Sequence, residues 1–315
     1  MIAGYVGIAG EARVVVSDSD GSVRIDTGFQ RNIILNQGLD FFGGDSGGAI
    51  NTSCVIGSGN STPVATQTKL DSFIAISNGT DKVENVSYED LGDNTYRMWE
   101  QMKYRYTGLK DVNISEVGLA SKGGSSDYFL TTRVLVKDSS GIPTSISVRT
   151  GETLDIFYKF HKIVSTSDSE FTINMLDGNG GSIPYKALVR PINVGGWSRI
   201  TKGISINSVV DTLSVTTNEP SNFLNSPNAS ISGLQVLSLS SYTVGSYKRR
   251  VNLNFKLDDG NINIRTIFFR GFDLAMLPYQ IRFGSVEDDS PIKKTNKEVL
   301  TIPVEYSWGR YEGEL

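Results

Sequence analysis

At 315 residues the chain is long enough for about two domains at the usual ~150 residues each, and its 30 basic and 34 acidic residues leave a net charge of −4, no field for drawing nucleic acid or an anionic membrane. One cysteine, Cys54, and one histidine, His161, exclude an intramolecular disulfide framework, a multi-cysteine metal site and any chemistry that needs a histidine pair. Residues 1–10 hold no basic residue and no signal-peptide core, and no stretch approaches the ~20 apolar residues of a membrane span, so folding in a cytoplasm is the expectation.

Alternation with period two governs the pattern. Residues 12–16 and 23–25 read as strands around the Asp20-Gly21 turn, and 36–42 have the spacing of a short helix. Residues 64–74 are the second helix candidate, with Ser61 or Thr62 as cap and Pro63 at the first position. Strands rich in β-branched and aromatic residues follow at 128–136, 145–148 and 153–162, and later at 250–257, 261–269 and 299–308. Glycine-bearing turns at Gly43-Gly44, Gly123-Gly124, Ser140-Gly141, Asp177-Gly178, Gly180-Gly181 and Asp259-Gly260 separate such runs. This pattern predicts an all-β, mainly antiparallel fold of sandwich-like units with few short helices.

The two halves resemble each other. Residues 12–42 and 171–200 both read as strand, acidic-glycine turn, strand and an irregular segment with a closing aromatic. DVNISEVGL at 111–119 matches GNINIRTIFF at 260–269, and 142–163 matches 290–310, where an extended segment, a polar turn ending in Glu and an aromatic strand recur in order. The reading is a tandem duplication, with a β domain over 1–165, a related one over 166–315, and the junction in the polar segment 164–170.

Candidate chemistry is sparse. The Gly57-x-Gly59 segment lacks the third glycine of a dinucleotide loop, since Thr62 stands there, and lacks a Walker lysine, so it reads as a structural loop. Asp18-x-Asp20-Gly21 shares the opening of a calcium loop, but the terminal Glu position is not acidic, which leaves a hairpin turn. Glu287, Asp288 and Asp289 could pair with Lys293 and Lys294 or form a cation site, and read as a solvated cluster. Nothing supports Glu116 and Glu152 as a glycosidase pair. His161, sharing a strand face with Phe157 and Lys159, reads as a surface or interface residue. Trp99, Trp197 and Trp308 read as core or seam residues, with sugar stacking as the alternative. No catalytic, cofactor-binding or metal-binding residue is assigned.

Five short motifs then fall in a recognisable order: NIILNQGLD at 32–40; IGSG at 56–59 with Pro63 and Thr68-Lys69-Leu70; ISEVGL at 114–119; RVLVKD at 133–138; and GETLDI at 151–156. Over about residues 10–163 this order resembles a family of tailed-bacteriophage structural proteins encoded among tail and fibre genes. The resemblance implies a non-enzymatic virion protein, made in the host cytoplasm. It would be a multi-copy tail, neck or collar component that attaches or supports other virion proteins or fibres and contacts copies of itself, with no nucleic acid, membrane or cofactor partner. The alternative is a receptor- or glycan-binding module of the tail. The second half lacks the Gly-x-Gly-Pro loop and the Glu-Val-Gly-Leu segment, carrying residues 265–269 instead. Residues 1–10 and 311–315 are expected to order against a partner.

Overall fold

The structure, a computed structural model, describes residues 2–43, 50, 52–78, 81–82, 87–121, 127–176, 180–192, 194, 213–234, 236–269 and 279–315. In chain order the first half runs β1 (Ile2–Ser17), β2 (Val23–Asp26), β3 (Gln30–Arg31), β4 (Ile33–Ile34), α1 (Asn36–Gly43), β5 (Ser53–Gly57), β6 (Phe73–Ser77), β7 (Asp81–Lys82), β8 (Ser87–Gly92), β9 (Thr95–Tyr106), β10 (Val112–Ile114), β11 (Glu116–Ser121), β12 (Phe129–Leu130), β13 (Thr132–Leu135), β14 (Ile146–Val148) and β15 (Thr153–Ser165). The second half runs β16 (Ser169–Leu176), β17 (Ser182–Pro191), β18 (Leu213–Thr216), β19 (Ile231–Leu234), β20 (Leu237–Leu239), β21 (Lys248–Phe255), β22 (Asn263–Ile264), β23 (Thr266–Phe269), β24 (Tyr279–Ser285), β25 (Ile292–Lys293) and β26 (Leu300–Arg310). The protein is all-β, and α1 is the only helix among the described residues.

One large sheet has the order β20-β21-β26-β1-β15-β9-β7, so strands from both sides of residue 165 share it. Two smaller sheets, β4-β13-β11-β5-β6 and β16-β17-β24-β23-β18-β19, contribute to one hydrophobic core with its inward face. Alternation sets that face: in β9, Tyr96, Met98, Glu100, Met102, Tyr104 and Tyr106 turn inward, and in β26 Leu300, Ile302, Val304, Tyr306 and Trp308 do the same. The layers are also tied by polar contacts, the Tyr106 hydroxyl donating to the Cys54 carbonyl at 2.6 Å and the Tyr279 hydroxyl to that of Tyr5. Second-half residues grip α1: Trp308 Nε1 donates to the Leu39 carbonyl at 2.8 Å, Arg249 to that of Gly43 at 2.8 Å, and the Tyr242 hydroxyl to Asp40 at 2.6 Å.

In two of the three resembling pairs of runs the ladder partners correspond. β10 pairs with β14 through Ile114 and Ile146, and β22 with β25 through Ile264 and Ile292. Ser115 donates its N–H to the Gly57 carbonyl at 2.9 Å, and Arg265 to that of Thr216 at 2.9 Å. Val136 donates to Ser115 at 2.8 Å, and Phe283 to Arg265 at 2.8 Å. At the head of the long strands Leu154 faces Tyr106 and Leu300 faces Phe255. The third pair differs: β1 lies antiparallel along β15, whereas β16 pairs with β17, and β26 takes β1 as a parallel neighbour; α1 belongs to the first half alone among the described residues.

Three expectations are corrected. Residues 64–74 form no helix; they are turns followed by β6, because the polar groups of this segment are drawn to a buried ion pair instead of to one another. Residues 2–10 belong to β1 and are hydrogen-bonded along β15 and β26 within the chain itself. Residues 311–315 are likewise held from within, Tyr311 N–H donating to the Ile8 carbonyl at 2.9 Å and Arg31 to the carbonyls of Tyr311 and Gly313.

Candidate functional site

The most elaborate polar constellation lies on the outer face of the first small sheet. Val117 and Leu119 of β11 enter the main core, so the period of two sends Glu116 to the opposite face, directly across from Gly57 of β5. Residues 58–72 cross that face without regular secondary structure and bury it, together with a satellite cluster of Leu35, Val55, Leu70, Ala120, Tyr128 and Leu130. Beneath them the Glu116 carboxylate is wholly buried. It accepts from the backbone N–H groups of Gly59 at 2.9 Å, Ser72 at 2.9 Å and Asp71 at 3.2 Å, and from Arg133 Nε at 2.8 Å.

Arg133, also wholly buried, spends its remaining donors on the same loop: Gln67 Oε1 and Asp71 Oδ2 at 2.8 Å, and Ser61 Oγ at 3.2 Å. Asp71 accepts from Ser61 N–H at 2.9 Å; that contact, aided by Arg133, keeps its carboxyl below the usual range. The Gly-x-Gly spacing has its cause here. A Cβ on either Gly57 or Gly59 would sit 2.5 Å from Glu116 Oε1, so only glycine lets the chain close around the carboxylate. The loop does cradle an anion through its amides, and the anion is a side chain of the same protein. From α1, Gln37 donates to the Thr68 carbonyl at 3.0 Å and to that of Leu130, fixing the far end of the loop.

The second half has the corresponding loop, residues 217–230, between β18 and β19. By register Thr266 stands where Glu116 stands and Gln280 where Arg133 stands, since Thr266 faces Thr216 and Arg282 as Glu116 faces Gly57 and Leu135. Both are wholly buried, and both bind the loop without charge. Gln280 accepts from Ser221 N–H at 3.0 Å and donates to the Ser221 carbonyl at 2.7 Å, while the Thr266 hydroxyl donates to the Asn218 carbonyl at 2.9 Å. Charge sits farther out, where Arg282 bridges Glu219 at 2.6 Å and Asp289.

The remaining residues marked in the sequence are structural as well. Asp18 and Asp20 close the β1–β2 turn, Asp20 accepting from Ser22 N–H at 2.9 Å with Gly21 at φ 88°. Asp289 pairs with Arg282 and Asp288 binds Ser285 and Ser290, which corrects the expected pairing with Lys293 and Lys294. Lys294 is buried instead against the Asn261 side chain at 2.9 Å and the Thr295 carbonyl at 2.8 Å. Glu152 forms a paired contact with Arg24 and caps its own turn through Arg149 N–H at 2.7 Å; these contacts hold its carboxyl down at about 2.

His161 is buried rather than at the surface, with Glu11 meeting its Nε2 at 3.0 Å and the Trp99 ring centroid 6.2 Å from its own. Burial lowers its pKa from the ordinary value while Glu11 opposes the shift. Cys54 is buried and its thiol is pushed up to about 12 by desolvation, so it is no nucleophile. Trp308 is in the core, and the ring of Trp99 is flanked by Arg97 at 5.2 Å and Lys159 at 6.0 Å, so neither is a bare platform for a sugar. Trp197 lies outside the described residues. Among the buried charges without a sequence flag are Lys162, whose ammonium lies 5.4 Å from the Phe42 ring centroid and whose pKa burial depresses, and Glu100 beside it in the electrostatics of the core. Their positions in the alternation of β15 and β9 were the available signal.

Among the described residues no group of three or more His, Cys, Asp or Glu side chains is placed to hold a metal ion, and no helix is long and apolar enough to cross a membrane. Comparison with family models, curated proteins and solved structures found no match to this chain.

Proposed function

We propose that this protein is a non-catalytic structural component of a bacteriophage virion, a multi-copy tail, neck or collar protein that holds other virion proteins or fibres in place, and that its two halves descend from a tandem duplication. The observation that carries this reading is the use made of the five motifs that carry the family resemblance. Gly57 and Gly59, Glu116 and Arg133 are the parts of a single loop clamp; Gln37 secures the far end of that loop; Glu152 caps a turn against Arg24. Gly57, Gly59, Glu116, Arg133, Gln37 and Glu152 are thereby used in fixing backbone. A rigid sheet that presents a long clamped loop is what a subunit needs for contacting neighbours without paying ordering entropy at each contact. The equal registers of the β9–β15 and β21–β26 runs support the duplication.

The test is quantitative mass spectrometry of purified particles from a phage that encodes this chain. The expected result is several copies per particle, at a fixed ratio to the tail proteins. Abundant chain in infected cells with none in purified particles would sink the reading.

A further inference from the structure

β26 is hydrogen-bonded along only part of its outer edge. β21 covers one side from Leu300 to Ser307, but on the other side β1 begins opposite Val304, so residues 300–302 have no neighbour there among the described residues. Asn254 donates to the Val236 carbonyl and Arg250 exchanges contacts with Ser240, which turns the even-numbered groups of β21 toward β20 and leaves Val251, Leu253 and Phe255 to bond with β26. Their partners are Val304, Ile302 and Leu300, so the backbone of Thr301 faces the open side, while the Pro303 carbonyl next to it faces Ile2, the register partner of Val304.

Across the gap lies β16, the edge strand of the other sheet. Val286 N–H takes the Pro184 carbonyl toward β24, and Asn174 is the register partner of Pro184; Thr172, Asn174 and Leu176 therefore turn their N–H and C=O groups to the free edge. Between the two strands is a groove of about 640 Å³, lined by the consecutive residues 172–176 and 299–303. A strand showing a face contributes every second residue; consecutive lining means that both strands show their edges. None of the ten lining residues is charged, and Leu176 and Val299 stand 84% and 69% exposed at its mouth.

The first half shows what such a place holds. Residues 154–157 of β15 correspond to 300–303 of β26, and there Arg13, Val14, Val15 and Val16 of β1 fill the edge as an antiparallel strand. We propose that the groove between β16 and β26 is a docking slot for one extended, uncharged strand of a partner protein, bound through main-chain hydrogen bonds to Thr301 on one wall and to the free edge of β16 on the other. Two walls admit a lone strand; the edge of a second copy's sheet would bring its neighbours into collision with β16. This goes beyond the virion reading and stands or falls separately from it.

The experiment uses the full chain and a fluorescein-labelled peptide, Ser-Val-Thr-Val-Thr-Val-Ser, with a twin N-methylated at alternate amides. Saturable binding with a Kd below about 1 mM is expected, with slowed exchange of the Thr301 amide, at least tenfold weaker binding of the methylated twin and a similar loss in Thr301→Pro. That substitution removes a donor the β21 ladder does not use; should it unfold the chain, Asn174→Pro tests the opposite wall by the same logic. No saturation by about 1 mM, equal binding of the methylated twin, binding unchanged in the folded proline variant, or self-association of the chain through this groove would each overturn the proposal.

Discussion

The loops over β5–β11–β13 and over β18–β23–β24 are fastened at the same place in the same ladder by opposite means. In the first, a buried carboxylate and a buried guanidinium neutralise one another and divide their remaining bonds among loop amides, a glutamine and a serine. In the second, an amide and a hydroxyl bind the loop backbone directly, and the ions stay near solvent around Arg282. Burying an ion pair carries a desolvation penalty that the pair must offset, whereas a neutral anchor carries a smaller one. The ionic clamp is therefore the more brittle: intact it fixes more atoms, and with one member missing it leaves an uncompensated charge in the interior.

The largest expected effect follows from that asymmetry. Arg133→Ala strands the Glu116 carboxylate without its cation, and should lower unfolding free energy in urea by about 3–5 kcal/mol. A loss under about 1 kcal/mol would mean that the three loop amides alone satisfy the carboxylate. Gln280→Ala, the matched change in the second half, should cost about 1–3 kcal/mol, because it strands only neutral backbone groups of Ser221. Equal losses at the two positions would erase the contrast between them.

The next expected effect is on acid stability at a second matched pair. Glu152 and Glu298 both cap turns, through Arg149 and Thr295, but only Glu152 also meets an arginine, Arg24. Its carboxyl is held at about 2 against an ordinary 4.5, so its contribution is complete above about 4.5 and disappears as pH falls toward 2. Glu298 is shifted the same way by Thr295. Glu152→Gln should flatten the acid limb of the stability curve in that window more than Glu298→Gln does, as read by unfolding midpoints from pH 5 to 2. Smallest of all, Arg282→Ala should cost no more than about 1 kcal/mol and less in high salt, since its partners are well exposed. A salt-insensitive loss would place Arg282 with the buried anchors.

Much of the strand content was legible because alternation survives in β21 and β26, where one face meets the core and the other does not. The matched segments around Ile114 and Ile264, and around Ile146 and Ile292, were also visible, for they sit in ladders whose register the small sheets enforce. β9 escaped notice although its burial alternates along nearly its whole length, because Arg, Glu and Lys are interleaved with Tyr and Met and Glu100 falls on the buried face. The loop clamp was legible only in pieces. Glycine spacing pointed to an anion cradle, but the anion lies 57 residues away on β11 and its cation on β13, a convergence that only tertiary pairing creates. The helix expected at 64–74 failed for the same reason: Gln67 and Asp71 answer to Arg133, not to the local helical ladder.

The parallel seam between β1 and β26 sets the order in which the chain can assemble. Ile2 lies opposite Val304 and Ile8 opposite Arg310, so the amino-terminal part of β1 waits for β26, far along the chain, before it finds a neighbour. Until then that stretch is an unsatisfied edge, and the antiparallel portion from Gly7 to Ser17 must find β15 across the whole first half. Refolding should therefore show a slow terminal phase in which the large sheet closes, and chains halted before β26 should be the ones that aggregate.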